Sequence, residues 1–163
     1  EVTMNGTKLA LGTAAALALA AALRRRGSTT GLRFESLWHG SRKRVESLRS
    51  GSFLSDAWSG AVDYAIHGPN QREPAGPGWM NEYELSPMAR VRRFDSFSDA
   101  YSYYGVRSGT GATYKLAKAA VKEGGTDLIV VYDELILVNP DVISYVDSQR
   151  VTPENRQWNG GQS

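Results

Sequence analysis

Phe34-Glu35-Ser36-Leu37-Trp38-His39-Gly40-Ser41 reads as a short strand that runs straight into a turn. Phe34, Leu37 and Trp38 supply strand-favouring bulk, and Gly40 with Ser41 ends the run. His39 therefore falls at the C-terminal end of the strand, beside a glycine that lets a ligand approach the backbone closely.

Downstream of that strand, Ser41 is placed to cap a helix reaching Ser50, with Val45 and Leu48 inward and Gly51 as its stop. Residues 52–55 form a second short strand. Asp56 is placed to cap a helix over residues 57–66, in which Ala57, Ala61, Tyr64 and Ala65 share one face. Residues 68–79 hold three prolines and three glycines, which breaks regular structure and makes a surface loop or lid. Strands are expected over 82–85 and 89–94, and a short helix over 98–104. Residues 113–123 form an amphipathic helix, with Leu116, Ala117, Ala120 and Val121 inward and Lys115, Lys118 and Lys122 outward. Residues 127–132 and 134–138 are apolar strands, Asn139-Pro140 turns the chain, and 141–146 make a last strand. The expected fold class is α+β, with short strands and two or three helices.

Upstream, residues 9–23 are almost wholly Ala and Leu, which predicts a helix that is apolar on every side. Fifteen residues span about 22 Å, short of a bilayer core of about 30 Å. Arg24, Arg25 and Arg26 close the run as a cytoplasmic flank would. Residues 8–26 are thus the candidate contact with a membrane or with a partner chain in an assembly. Gly27-Ser28-Thr29-Thr30-Gly31 is a linker. The expected organisation is a hydrophobic leader with linker over 1–31, a folded domain over 32–150, and a polar tail over 151–163. Glu1 is not an initiator methionine, as expected of a processed product or a piece of a longer polypeptide.

The 163 residues, 41% hydrophobic and 22% charged, suit one soluble domain with an appendage. A net charge of +2 is too small to argue for nucleic acid by itself. The absence of cysteine removes disulfides, thiolate nucleophiles and cysteine-based zinc sites. With only His39 and His67, a multi-histidine metal site is not expected.

Three segments carry the functional reading: Leu37-Trp38-His39-Gly40-Ser41, then Phe53-Leu54-Ser55-Asp56 leading to Asp63-Tyr64-Ala65, then Tyr132-Asp133-Glu134-Leu135-Ile136. Their order and wording resemble the ADP-ribosyltransferase fold of the poly(ADP-ribose) polymerase and diphtheria-toxin type, with its histidine, tyrosine and glutamate. The resemblance implies a split sheet of short strands with flanking helices, and NAD as the bound dinucleotide. It implies that His39 binds a ribose hydroxyl, that the Gly40 backbone holds the nicotinamide carboxamide, and that Tyr64 stacks on the nicotinamide. It implies further that Glu134 binds the nicotinamide ribose, with Ser55 helping to shape the pocket.

These residue types suit the chemistry. Breaking a nicotinamide–ribose bond develops positive charge on the sugar, as glycoside hydrolysis does. A fixed carboxylate in a water-poor cleft stabilises that charge by about 3–4 kcal/mol. An aromatic face attracts a flat cation, and a histidine offers a donor and an acceptor. The leading expectation is transfer of ADP-ribose from NAD to a protein or nucleic-acid acceptor, with no metal. Arginine-modifying members of the wider fold carry an acid two positions before the glutamate. Here Tyr132 stands there, and Asp133 is expected on the opposite face, which disfavours arginine as acceptor. Two further readings are an NAD glycohydrolase and a non-catalytic component of a larger assembly. By analogy, the start at Glu1 and the hydrophobic leader fit a phage or toxin-delivery protein, which would place the chain at a membrane or in a virion.

Overall fold

The computed structural model describes residues 36–69 and 74–156. The Ala-rich helix expected over 9–23 and the end of the polar tail lie outside the described residues. The chain divides between Gly31 and Leu32, and the described residues belong to the second unit.

Among the described residues, seven strands and three α-helices make an α+β domain. In chain order they are β1 (Leu37–Ser41), β2 (Phe53–Ser55), α1 (Trp58–His67), β3 (Gly78–Leu85), β4 (Val91–Phe94), α2 (Phe97–Tyr104), α3 (Ala112–Glu123), β5 (Leu128–Val131), β6 (Glu134–Leu137) and β7 (Ile143–Val151). One sheet holds all seven in the order β4-β5-β6-β2-β1-β3-β7. Only β4 and β5 run parallel; the other neighbours are antiparallel.

Cross-strand partners share a face of a sheet, and residues two apart on a strand do the same. Trp38 pairs with Ser55, Ser55 with Glu134, and Ile136 with Ile129, so these five point one way. α1 packs on that face over Trp38 and Met80, through Ala61, Val62, Ala65 and Ile66. α3 packs on it further along, where Leu116, Ala117 and Ala120 meet Ile129, Val131 and Ile136. On the other face Leu37, Leu54, Tyr83, Leu135 and Leu137 form a separate core, with Leu48 against it. β5 is buried along its whole length and reads as an unbroken apolar run, as a strand covered on both sides should.

α1 lies unusually close to the sheet. A Cβ on Gly40 would stand 1.9 Å from the Ala61 carbonyl oxygen, and one on Gly78 would stand 2.0 Å from that of Ala65. Real atoms do not approach so closely, so helix backbone rests directly on strand backbone at two glycines.

The structure corrects several expectations. Residues 41–50 form no helix. Ser41 Oγ instead accepts from the Lys43 N–H and bonds the Lys43 carbonyl, closing a local turn. The Val45 N–H donates to Asn81 Oδ1 at 2.9 Å, and the Val45 carbonyl accepts from the Tyr83 hydroxyl. Asn81 is fully buried, yet Ser148 Oγ donates to it at 2.7 Å and its amide donates to the His39 carbonyl at 3.0 Å. Tertiary partners thus take the backbone groups that a helix would have used. Asp56 caps nothing; Ala57 opens α1, and its N–H donates to Ser55 Oγ. Val121, expected inward, is 57% exposed. β3 and β7 run well beyond the strands expected at 82–85 and 141–146. The fully buried Val151 closes β7, and Arg156 still pairs with Asp63, so the packed structure continues past residue 150.

Gly40→Ala is expected to destabilise the domain by about 1–3 kcal/mol, the usual cost of overpacking. Urea unfolding measures this; an unchanged midpoint would contradict the backbone-on-backbone contact.

Candidate functional site

A cavity of about 380 Å³ opens beside α1, and His39, Gly40, Ser55, Tyr64 and Glu134 all line it, with Phe53, Gly60 and Asp133 among its other walls. The size falls within the range of about 300–1,000 Å³ typical of small-molecule sites. The structure therefore brings every candidate site residue from the three sequence segments to one hollow.

His39 reaches the cavity because β1 and β2 part company. Their ladder has a single pair, Trp38 with Ser55, whereas β1 pairs with β3 at five positions. Beyond that pair the His39 ring stands where backbone pairing would be, with Nδ1 2.8 Å from the Phe53 carbonyl oxygen. A carbonyl only accepts, so Nδ1 carries the proton. Burial pushes the imidazole pKa below its ordinary value, against the opposing pull of that hydrogen bond. The ring is thus neutral near pH 7, and Nε2 is left as an acceptor.

Ser55 sits directly opposite Glu134 in the ladder. The first turn of α1 rests on it: a Cβ on Gly60 would stand 2.5 Å from Ser55 Oγ. Gly40 lines the cavity too, but the bareness of its Cα has an observed use already, admitting the α1 backbone. One turn along α1 from Gly60, Tyr64 presents a phenol whose pKa is raised, first by burial and then by the charge of Glu134.

Glu134 begins β6 after a two-residue connection, since Val131 pairs with Glu134 across Tyr132 and Asp133. Tyr132 is 73% exposed and takes a left-handed backbone, φ 56°, which costs a bulky residue about 1–2 kcal/mol. Glu134 is half-buried, and its side chain makes no hydrogen bond or ion pair with a described residue. Burial raises its pKa, and the neighbouring Asp133 charge adds to the rise. Asp133 lines the cavity although strand alternation placed it on the far face, because it belongs to the turn and not to the strand.

Two aromatic residues were not singled out from the sequence. Phe53 lines the cavity two residues before Ser55, and strand periodicity alone could have found it. Tyr101 on α2 also feels the Glu134 charge, which after burial is the second cause of its raised pKa. Nothing in Ser98-Asp99-Ala100-Tyr101-Ser102 marks that tyrosine from its neighbours. Among the described residues no three His, Asp or Glu side chains come together as a metal ion would require.

Two opposite pH dependences are expected. His39 has its pKa depressed by folding, so its contribution to stability is complete above the ordinary value of 6.5 and is lost as pH falls through the folded pKa. Glu134 has its pKa raised, so its contribution is complete below the ordinary value of 4.5 and is lost as pH rises through the folded pKa. Thermal unfolding of Glu134→Gln should therefore give a higher Tm than the parent at neutral pH, with the gap closing below pH 4.5. A lower Tm at neutral pH would mean that Glu134 has a partner that stabilises its charge.

No family model, no curated protein and no solved structure matches this chain, so the reading of the cavity rests on its own residues and geometry.

Proposed function

We propose that the cavity binds the nicotinamide–ribose end of NAD and that the protein transfers ADP-ribose to a macromolecular acceptor, as its resemblance to ADP-ribosyltransferases implies. One observation carries this reading: a half-buried carboxylate, Glu134, with no cation paired to it among the described residues, on the wall of a cavity that has aromatic and neutral-imidazole sides. A protein gains no stability from holding a charge in that way. A substrate that develops positive charge is what the arrangement accommodates.

Tyr64 and Phe53 supply flat apolar surface for a pyridinium ring, which a π face attracts. Neutral His39 offers Nε2 to a ribose hydroxyl. In the reaction the ribose C1′–nicotinamide nitrogen bond breaks, and nicotinamide leaves as a neutral molecule with the bonding pair. C1′ then bonds to the acceptor nucleophile, whose proton passes to solvent. The Glu134 carboxylate stabilises the positive charge that C1′ and its ring oxygen carry between the two events. Hydrolysis differs only in that water takes the acceptor's place.

The test is to incubate the protein with NAD labelled in its adenylate and a cell lysate. Label on macromolecules is expected; free ADP-ribose alone would mean hydrolysis. Glu134→Gln keeps the shape and removes the charge, and should slow turnover by about 100- to 1,000-fold. Equal turnover by parent and variant, or none by the parent, contradicts the proposal.

A further inference from the structure

The outward side of α3 carries a set of groups that the cavity does not use. From Gly105 to Lys122 the chain has four cations and no carboxylate. Leu116, Ala117 and Ala120 bury the other side of the helix, so Tyr114, Lys115, Lys118, Val121 and Lys122 share the solvent side. None of the three lysines forms an ion pair with a described residue. Glu123, the acid that ends the helix, is held by Arg92 at 3.1 Å and by the Tyr103 hydroxyl at 2.7 Å. A chain of net charge +2 thus gathers on one helix surface three lysines that no described carboxylate pairs with.

That surface leads toward the cavity. Tyr114 is 56% exposed and packs over Gly51, whose N–H donates to the Leu137 carbonyl at 2.7 Å. Leu137 and Glu134 are the two ends of β6, about 10 Å apart at strand rise. A second groove, of about 700 Å³, runs from Tyr114 past Arg49, Ser50 and Ser52 to His39, which lines both hollows. Among the described residues no carboxylate lines this groove.

We propose that a single strand of nucleic acid lies along α3 and this groove and is the acceptor for ADP-ribose. The acceptor role rests on the NAD reading; the binding role does not. Charge complementarity with the phosphates comes from Lys115, Lys118, Lys122 and Arg49. The serine hydroxyls donate to phosphate or sugar oxygens, and Tyr114 offers a base a flat surface to stack on. An acidic protein would use the cations but not the exposed ring. In the transfer, a base nitrogen or a sugar or phosphate oxygen of the strand bonds to C1′ as nicotinamide departs with its electron pair, and any proton on that atom goes to solvent.

Binding of a short fluorescein-labelled oligothymidylate to the full 163-residue chain, read by fluorescence anisotropy as salt is raised, tests the proposal. Lys115→Gln, Lys118→Gln and Lys122→Gln together keep helix propensity, since Gln and Lys are equally good helix formers. Circular dichroism checks that the fold is kept. The triple variant should bind at least tenfold more weakly, with the slope of log K against log salt reduced by about 2. Tyr114→Ala should weaken binding by about tenfold while leaving the slope unchanged. No binding by the parent, or a triple variant with the parent's affinity and slope, overturns the proposal. Polyglutamate binding as tightly as the oligonucleotide overturns it in favour of an acidic protein partner. Oligonucleotide binding without NAD turnover would sink the NAD reading and leave the strand site standing; NAD turnover without oligonucleotide binding would do the reverse.

Discussion

The contact between the α1 backbone and the bare Cα atoms of Gly40 and Gly78 sets the geometry of everything around the cavity. With any side chain at those positions the helix would stand further from the sheet. Tyr64 would then move out with it, and Gly60 would no longer rest on Ser55. The same contact accounts for the cavity's position. α1 and α3 share one face of the sheet but cover different halves of it, and Ser55 and Glu134 lie on the strands between them. The short β1–β2 ladder completes the hollow by letting a histidine ring stand in for backbone pairing.

Features that weaken the fold collect at this place. Among the described residues no cation pairs with Glu134, burial lowers the pKa of His39, and Tyr132 sits in a strained turn two residues before the acid. Elsewhere polar groups are well matched. Asp127 takes the Arg90 guanidinium at 2.8 and 3.0 Å and the Asn139 amide at 3.1 Å, tying the start of β5 to the residue before β4. The Asn81 side chain accepts from Val45 and Ser148 and donates to His39, and no buried side-chain polar atom among the described residues lacks a partner. A strained turn and an unpaired carboxylate beside one hollow, in a domain whose described buried polar side chains are satisfied, are the pattern expected of a binding or catalytic site.

Much of this was legible in the sequence, and the exceptions have physical reasons. The apolar runs at β5 and β6, the alternating apolar face of α3 and the glycine stops gave the elements by period alone. His39, Gly40, Ser55, Tyr64 and Glu134 stood out by their order along the chain, and they do line one cavity. The helix expected over 41–50 failed because Asn81 and Tyr83, far away in sequence, bind the Val45 backbone. β7 was under-read because Ile-Ser-Tyr-Val-Asp-Ser-Gln-Arg-Val is largely polar, as an edge strand can be. Tyr101 could not be assigned, since only tertiary packing brings α2 toward Glu134. Asp133 was misplaced by one step of strand alternation applied to a turn.

The cavity as an NAD site is the central claim, and His39 is its most direct reporter. The chain has two histidines, so nitrogen-15 spectra of the imidazoles resolve them with one variant for assignment. Without ligand, His39 should appear as the neutral Nδ1–H tautomer with a bare Nε2. Adding NAD should shift the Nε2 resonance in a saturable way as it accepts a ribose hydroxyl, while His67 stays fixed. An Nε2 resonance indifferent to saturating NAD, or a ring protonated on Nε2 from the outset, would contradict the account.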